Sequence, residues 1–243
     1  AALRRLAIET AILAALRGRV SLAVPDPSFA HLDAEVGQAF VGYRMVPGFP
    51  LWPATLRGID DEPTLDRLAR QLATFLKELH RVPPAAVDGP LEVQDGPDEW
   101  RDLYDRIRTH LFPHMRPDVR AWTTRHFEAF LDDPRNFAFT PTLRHGDFGP
   151  SNVLFDPAAR RVTGVIDFGS AGLGDPAADF AGILCPTGYG EPFLARFLDV
   201  YPEIASVLPR ARFYAGTFAL QEALFGVEND DRAAFEDGIA QYR

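Results

Sequence analysis

Two short apolar runs, Val153 to Phe155 and Val162 to Ile166, are bordered by acidic and amide residues. That arrangement constrains the chain more than any other part of it. Their aromatic and β-branched content predicts two strands, and Asp156-Pro157 between them predicts the turn of a β-hairpin. His145-Gly146-Asp147-Phe148-Gly149-Pro150-Ser151-Asn152 precedes the hairpin and Ile166-Asp167-Phe168-Gly169 follows it. Two carboxylates and an amide oxygen are hard oxygen donors suited to Mg²⁺. A carboxylate not consumed by the metal can accept a proton from a substrate hydroxyl. Phosphoryl transfer requires such a set. Taken singly, Asp147 and Asn152 are ordinary turn formers, and Asp-Phe-Gly marks many turns. The chemistry is carried by the ordered composite on opposite sides of one hairpin.

Helices are expected on both sides of it. Residues 1–17 read as an amphipathic helix with Leu3, Leu6, Ala7, Leu13 and Leu16 on one face. Residues 20–50 read as extended, with Val36, Phe40, Val41, Tyr43 and Val46 in strands and turns near Pro25, Gly37 and Gly48. Pro63 opens a helix carrying Leu65, Leu68, Leu72, Phe75, Leu76 and Leu79. A second helix carries Trp100, Leu103, Tyr104, Ile107 and Leu111, and a third, from Pro117, carries Val119, Trp122, Phe127 and Phe130. Further helices are expected near 191–200, 209–226 and 231–241.

A chain of 243 residues makes one large domain or two small ones. With 47% hydrophobic and 24% charged residues it is neither disordered nor fibrous. No apolar run reaches membrane-spanning length, and Glu9 interrupts any signal-peptide core, so a cytoplasmic location is expected. The lone Cys185 excludes a disulfide framework. His110 and His114 are four apart, but Pro113 between them argues against a zinc helix. The net charge of −9 argues against nucleic acid and for a cationic ligand. Lys77 is the only lysine among 25 basic residues.

The motif pair follows the protein-kinase order of H-R-D-x-x-x-x-N and then D-F-G, with Gly146 in place of the Arg. With that glycine the chain resembles the aminoglycoside phosphotransferase family of small-molecule kinases. The resemblance extends to Phe75–His80 (FLKELH), to 169–180 (GSAGLGDPAADF), to 40–51 (FVGYRMVPGFPL) and to 212–230. The last two are most similar to the branch that modifies the 2″-hydroxyl of gentamicin-type aminoglycosides. The resemblance implies an α+β, protein-kinase-like fold of two lobes. Residues 1–46 would be an incomplete nucleotide-binding lobe with its helix C and hinge. Residues 47–243 would be a larger, mainly helical lobe carrying the catalytic hairpin.

By the same resemblance Asp147 is the catalytic base, and Asn152 and Asp167 hold Mg²⁺. His145, Asp175 and Asp179 are structural, the two aspartates as caps of the next helix. Arg44 and Val46 would contact the base of ATP or GTP through their main chain, and Glu9 would be the helix-C glutamate. The strand lysine that should pair with Glu9 and the Gly-rich phosphate loop are not in the sequence. Upstream residues are therefore expected, the alternative being a crippled relative. Residues 170–243 hold eleven acidic residues against five arginines, which suits a polycationic substrate. Glu222, Glu228 and Asp230, with Asp147 at the acceptor hydroxyl, are the expected substrate contacts. The implied activity is a Mg²⁺-dependent aminoglycoside O-phosphotransferase, monomeric and independent of nucleic acid and membrane. Its rivals are a kinase of choline, homoserine, a methylthio-sugar or a macrolide, and a ligand-binding pseudokinase.

Overall fold

The structure, a computed structural model, describes residues 2–35 and 37–243. Helix α1 (Ala2–Leu16) buries Ile12, Leu13 and Leu16. Strands β1 (Pro27–His31) and β2 (Phe40–Tyr43) follow as an antiparallel pair. Val36 lies outside the described residues. Val46 falls in an irregular link rather than a strand, because β2 ends at Tyr43. The link leads into β3 (Phe49–Pro50), which pairs with the hairpin further along the chain.

Four helices then begin with proline in the first turn, where a missing N–H costs nothing and the fixed φ favours entry. They are α2 (Pro53–Arg57), α3 (Glu62–His80), α4 (Pro97–His110) and α5 (Pro117–Leu131). Helix α3 buries Leu68, Leu72, Phe75, Leu76 and Leu79 at the spacing read from the sequence. Strand β4 (Thr142–Arg144) leads to the hairpin β5 (Val153–Asp156) and β6 (Arg161–Val165), and β7 (Gly172–Gly174) returns beside β4. The order β3-β5-β6 makes one small antiparallel sheet and β4-β7 another.

Helices α6 (Ala177–Leu184), α7 (Glu191–Ala195), α8 (Ile204–Ala215), α9 (Phe218–Glu228) and α10 (Arg232–Ile239) complete the larger body. The helix expected over 209–226 is two helices. Thr217 turns its hydroxyl back to the Tyr214 carbonyl at 2.7 Å, and Gly216 gives space to the His126 ring at the break. The helix expected over 191–200 stops at Ala195 and tightens into a 3₁₀ turn through Asp199. No helix among the described residues is long and apolar enough to cross a membrane.

Aromatic rings fill the larger body. Trp100 stacks on Tyr214 with centroids 4.7 Å apart, and Tyr104 stacks on Phe127 at 4.9 Å. Phe127 is fully buried and also meets Phe213 edge-on. Phe75 of α3 lies against Phe148, so the core reaches directly under the Asp147 loop. Truncation of a buried aromatic removes transfer energy and leaves a cavity. Phe127→Ala is expected to lower the unfolding free energy by about 3–5 kcal/mol, measured by urea denaturation.

Candidate active site

The hairpin register brings the two motifs together. Val153 lies opposite Val165, and one step further the Ile166 N–H donates to the Asn152 carbonyl at 2.9 Å. Asn152 therefore sits across from the residue before Asp167. Asp167 has φ 64° and ψ 70°, in the left-handed region that a side chain rarely adopts. Its carboxylate is exposed and receives no hydrogen bond among the described residues. Asn152 is buried, and its Nδ2 donates both to the Asp147 carbonyl at 2.8 Å and to Asp147 Oδ2 at 2.9 Å. The amide nitrogen is thus engaged by Asp147, and the Asn152 oxygen is left for another partner.

Asp147 belongs to a loop fixed from behind. Asp179, in the first turn of α6, has no solvent exposure. Its Oδ2 accepts the His145 N–H at 3.0 Å and its Oδ1 accepts the Gly146 N–H at 2.8 Å. His80 Nε2 donates to the same Oδ2 at 3.0 Å, and His80 Nδ1 meets the Tyr201 hydroxyl at 3.1 Å. Burial alone would raise the Asp179 pKa. The His80 hydrogen bond and the His145 main chain outweigh it and hold the carboxyl below its ordinary value. Asp179 is therefore structural, as expected, but as a clamp on the loop rather than a helix cap. Asp175 is the cap: its Oδ1 accepts the Ala177 N–H at 3.0 Å, while Arg210 and Tyr214 bind the rest of the carboxylate.

His145 is fully buried. Its Nε2 donates to the Ile166 carbonyl at 2.9 Å and its Nδ1 accepts the Asp147 N–H at 3.2 Å, which is the bonding of a neutral ring. Burial holds its pKa below the ordinary value, against the opposing field of Asp179. The ring ties the strand before Asp167 to the main chain of Asp147. Withdrawal from water pushes the Asp147 pKa up, the Asn152 hydrogen bond and His145 oppose, and Asp167 adds to the rise.

Glu9 projects from α1 toward the same end of the hairpin. Gly169 lies between it and Asp167, close enough that a Cβ there would sit 3.4 Å from Asp167 Oδ1 and 4.0 Å from Glu9 Oε2. Burial and then the charge of Asp167 raise the Glu9 pKa. Three carboxylates and one amide oxygen thus share this cleft. Among the described residues no three His, Cys, Asp or Glu side chains form a metal cage of their own. That suits Mg²⁺, which keeps water and phosphate ligands alongside one or two carboxylates. Asp167 and the free Asn152 oxygen fit it.

Lys77 stands away from the cleft, donating to the Val200 carbonyl at 2.6 Å. The main chains of Arg44 and Val46 make no backbone hydrogen bonds among the described residues. The Val46 side chain packs over Gly164 of β6.

The acidic C-terminal third is largely paired. Glu228 meets Arg106 at 3.6 Å, Glu191 binds Arg212 at 2.7 Å, Glu236 binds Arg243, and Asp231 caps α10. Glu222 and Asp230 are exposed and make no ion pair among the described residues. A cavity of about 340 Å³ opens between α5, α6, α8 and α9, with Trp122, Pro186, Glu191, Arg212, Ala219 and Tyr242 among its walls. Glu222 lies three residues beyond Ala219, on the same face of α9. Sequence reasoning missed Glu191 as a cavity residue and the clamp role of Asp179. The D-P-x-x-D spacing marked Asp179 but not the loop it would hold.

The family model described as "phosphotransferase enzyme family" matches residues 1–214. The chain belongs to that family. It is 32% identical to viomycin phosphotransferase of Streptomyces vinaceus over 207 residues, covering 82% of this chain and 67% of that one. It is 40% identical to an aminoglycoside 3'-phosphotransferase of Streptomyces fradiae over 194 residues, covering 73% and 66%. The chain thus spans about two thirds of the length of these curated relatives. Among solved structures, the GDP complex of wild-type aminoglycoside 2'-phosphotransferase-IIIa superposes with a TM-score of 0.88 at 26% identity, over 98% of this chain and 80% of that one. Macrolide 2'-phosphotransferase type I superposes at 0.74 with 26% identity, over 99% and 79%. The fold is the kinase-like fold of these phosphotransferases, as the motif order led us to expect.

The clamp has a pH signature. Unfolded His145 gains a proton below about pH 6.5, which the folded ring resists down to its lowered pKa. Its stabilising contribution is complete above that pH and is lost on acidification. His145→Gln is expected to flatten the fall in stability between about pH 6.5 and 5 relative to the native protein, by at most about 1.4 kcal/mol per pH unit. His126, also lowered by burial, contributes equally to both proteins. Urea titrations across that range check the difference.

Proposed function

We propose that this protein transfers the γ-phosphate of ATP or GTP to a hydroxyl of an aminoglycoside antibiotic, with Mg²⁺. The observation that carries this reading is the division of labour at Asn152. Its nitrogen fixes Asp147 at 2.9 Å while its oxygen remains available beside Asp167. Asp147 is then the base that orients the acceptor hydroxyl. Asp167 and Asn152 would hold Mg²⁺, which when bound neutralises charge on the phosphate oxygens. The rest is positioning by a rigid loop rather than covalent chemistry. Glu9 adds negative charge at this end of the cleft. The unengaged main chain of Arg44 and Val46 supports their role as the base-recognising hinge between residues 1–46 and 47–243.

For the acceptor, Glu222 and Asp230 are the unpaired acids that suit an ammonium-rich substrate, and Glu228 is partly neutralised by Arg106. The GDP and kanamycin complex of APH(2")-IIia, with a TM-score of 0.88 to this chain, supports the same pairing of donor and acceptor. On this reading the enzyme works as a cytoplasmic monomer. Macrolides are the second acceptor class, favoured by the superposition on macrolide 2'-phosphotransferase type I at a TM-score of 0.74. A panel of kanamycin, gentamicin, viomycin and a macrolide, each with ATP and with GTP and scored by phosphate incorporation, tests the proposal. Transfer to none of them overturns it.

Within an active pair, Asp147→Asn is expected to lower kcat by about 10²–10⁴-fold while nucleotide affinity stays unchanged. Steady-state kinetics and calorimetry with a non-hydrolysable nucleotide measure the two. Glu222→Gln is expected to raise KM for a polycationic acceptor and leave KM for the nucleotide unchanged.

A further inference from the structure

Residues 92–95 run as a strap across the strand that leaves the Asp167 turn. Val93 bridges to Leu173 in parallel fashion, and the Gln94 N–H donates to the Leu173 carbonyl at 2.8 Å. The strap ends at Asp95, a non-glycine residue with φ 67°, whose N–H is capped by Glu99. From it Asp95 and Gln94 reach one side chain, Arg144, which is 7% exposed. Arg144 Nε donates to Asp95 Oδ2 at 2.8 Å, and the other terminal nitrogen donates to Asp95 Oδ1 at 3.1 Å and Gln94 Oε1 at 2.7 Å. The remaining nitrogen, NH1, donates to the Ser170 carbonyl at 3.3 Å.

Arg144 is three residues before Asp147, and Ser170 is three residues after Asp167. The guanidinium therefore ties the segment carrying the base to the segment carrying the metal-ligand aspartate. Space is cleared for it. A Cβ on Gly146 would collide with Arg144 and with the Ser170 carbonyl. One on Gly174 would collide with Asp95 and stand 2.7 Å from Arg144 Nε, and one on Gly172 would stand 3.0 Å from Gln94 Nε2. The strap also reaches α1, since Glu92 binds Arg4 at 2.7 Å.

We infer that Arg144, held by Asp95 and Gln94, is a positioning residue that sets the spacing between Asp147 and Asp167. The inference rests on the phosphotransfer reading of those two residues. A buried Arg–Asp pair adds little net stability over a well-packed apolar pair. Its planar fork does fix direction, because one guanidinium meets several acceptors at set angles. A lysine ammonium is a point charge without that fork, so it cannot hold the same three acceptor groups in place.

The test compares the native protein with Asp95→Asn, Arg144→Lys and Gly174→Ala. Hydrogen–deuterium exchange is followed over residues 144–150 and 166–174 without ligands. Mn²⁺ binding, as a probe for Mg²⁺, is followed by electron paramagnetic resonance with a non-hydrolysable nucleoside triphosphate. The expected result is faster exchange in both segments together and Mn²⁺ affinity about tenfold weaker. With it, kcat per folded molecule is about 100-fold lower and the acceptor KM is unchanged. Exchange changes confined to 92–96, or a kcat loss fully explained by the unfolded fraction, overturn the inference. Asp95→Asn keeps the shape of the strap and decides the matter where Arg144→Lys does not fold. If the native protein transfers no phosphate, the functional reading fails, and the exchange data alone still decide whether the strap couples the two segments.

Discussion

The Asp179 carboxylate is the contact on which the cleft depends. A buried carboxylate with no partner is costly, and this one is satisfied by two main-chain N–H groups of the Asp147 loop and by the His80 ring. The same bonds that make its burial tolerable set the path of His145-Gly146-Asp147. His145 then carries the constraint across to the Ile166 carbonyl, the step before Asp167. Loop and hairpin are therefore fixed against one another by imidazole rings and main-chain donors. That leaves the Asp147 and Asp167 carboxylates with few protein partners of their own.

The charge of the cleft follows from this economy. Burial, with the charge of Asp167 added, holds Glu9 and Asp147 above their ordinary pKa values, and no arginine or lysine among the described residues forms an ion pair with Glu9, Asp147 or Asp167. Several other acids differ: Asp175 with Arg210, Asp95 with Arg144 and Glu191 with Arg212 are each matched by a guanidinium. Uncompensated negative charge therefore gathers at this end of the hairpin, as it does at the exposed Glu222 and Asp230. The remaining acids of the C-terminal helices serve mainly as surface partners and caps.

The three residues proposed to act directly were legible because their spacing is local. Asp147, Asn152 and Asp167 are ordered by a hairpin whose strands and turn are visible in a dozen residues. The clamp was not legible, because His80 and Asp179 are 99 residues apart and nothing near either one names the other. Gln94-Asp95-Gly96 reads as an ordinary turn, and its partner Arg144 lies 49 residues beyond Asp95. The break between α8 and α9 escaped notice for the same reason, since the His126 ring that crowds Gly216 comes from α5. The acidic excess of the last third was counted correctly, yet Arg106 of α4 shows that net charge along the chain is a poor guide to free charge in space.

The placement of Lys77 bears on how this protein meets its surroundings. Its ammonium is engaged by a carbonyl and lies 5.8 Å from the centre of the Tyr201 ring. Every other cationic side chain that is charged at neutral pH in these 243 residues is a guanidinium, which stays protonated and is a poor nucleophile. Amine-directed chemistry, whether acylation, reductive coupling or attachment of a tag through an isopeptide bond, finds almost no side-chain handle on this surface. The positive charge carried by these residues is therefore nearly insensitive to lysine acylation.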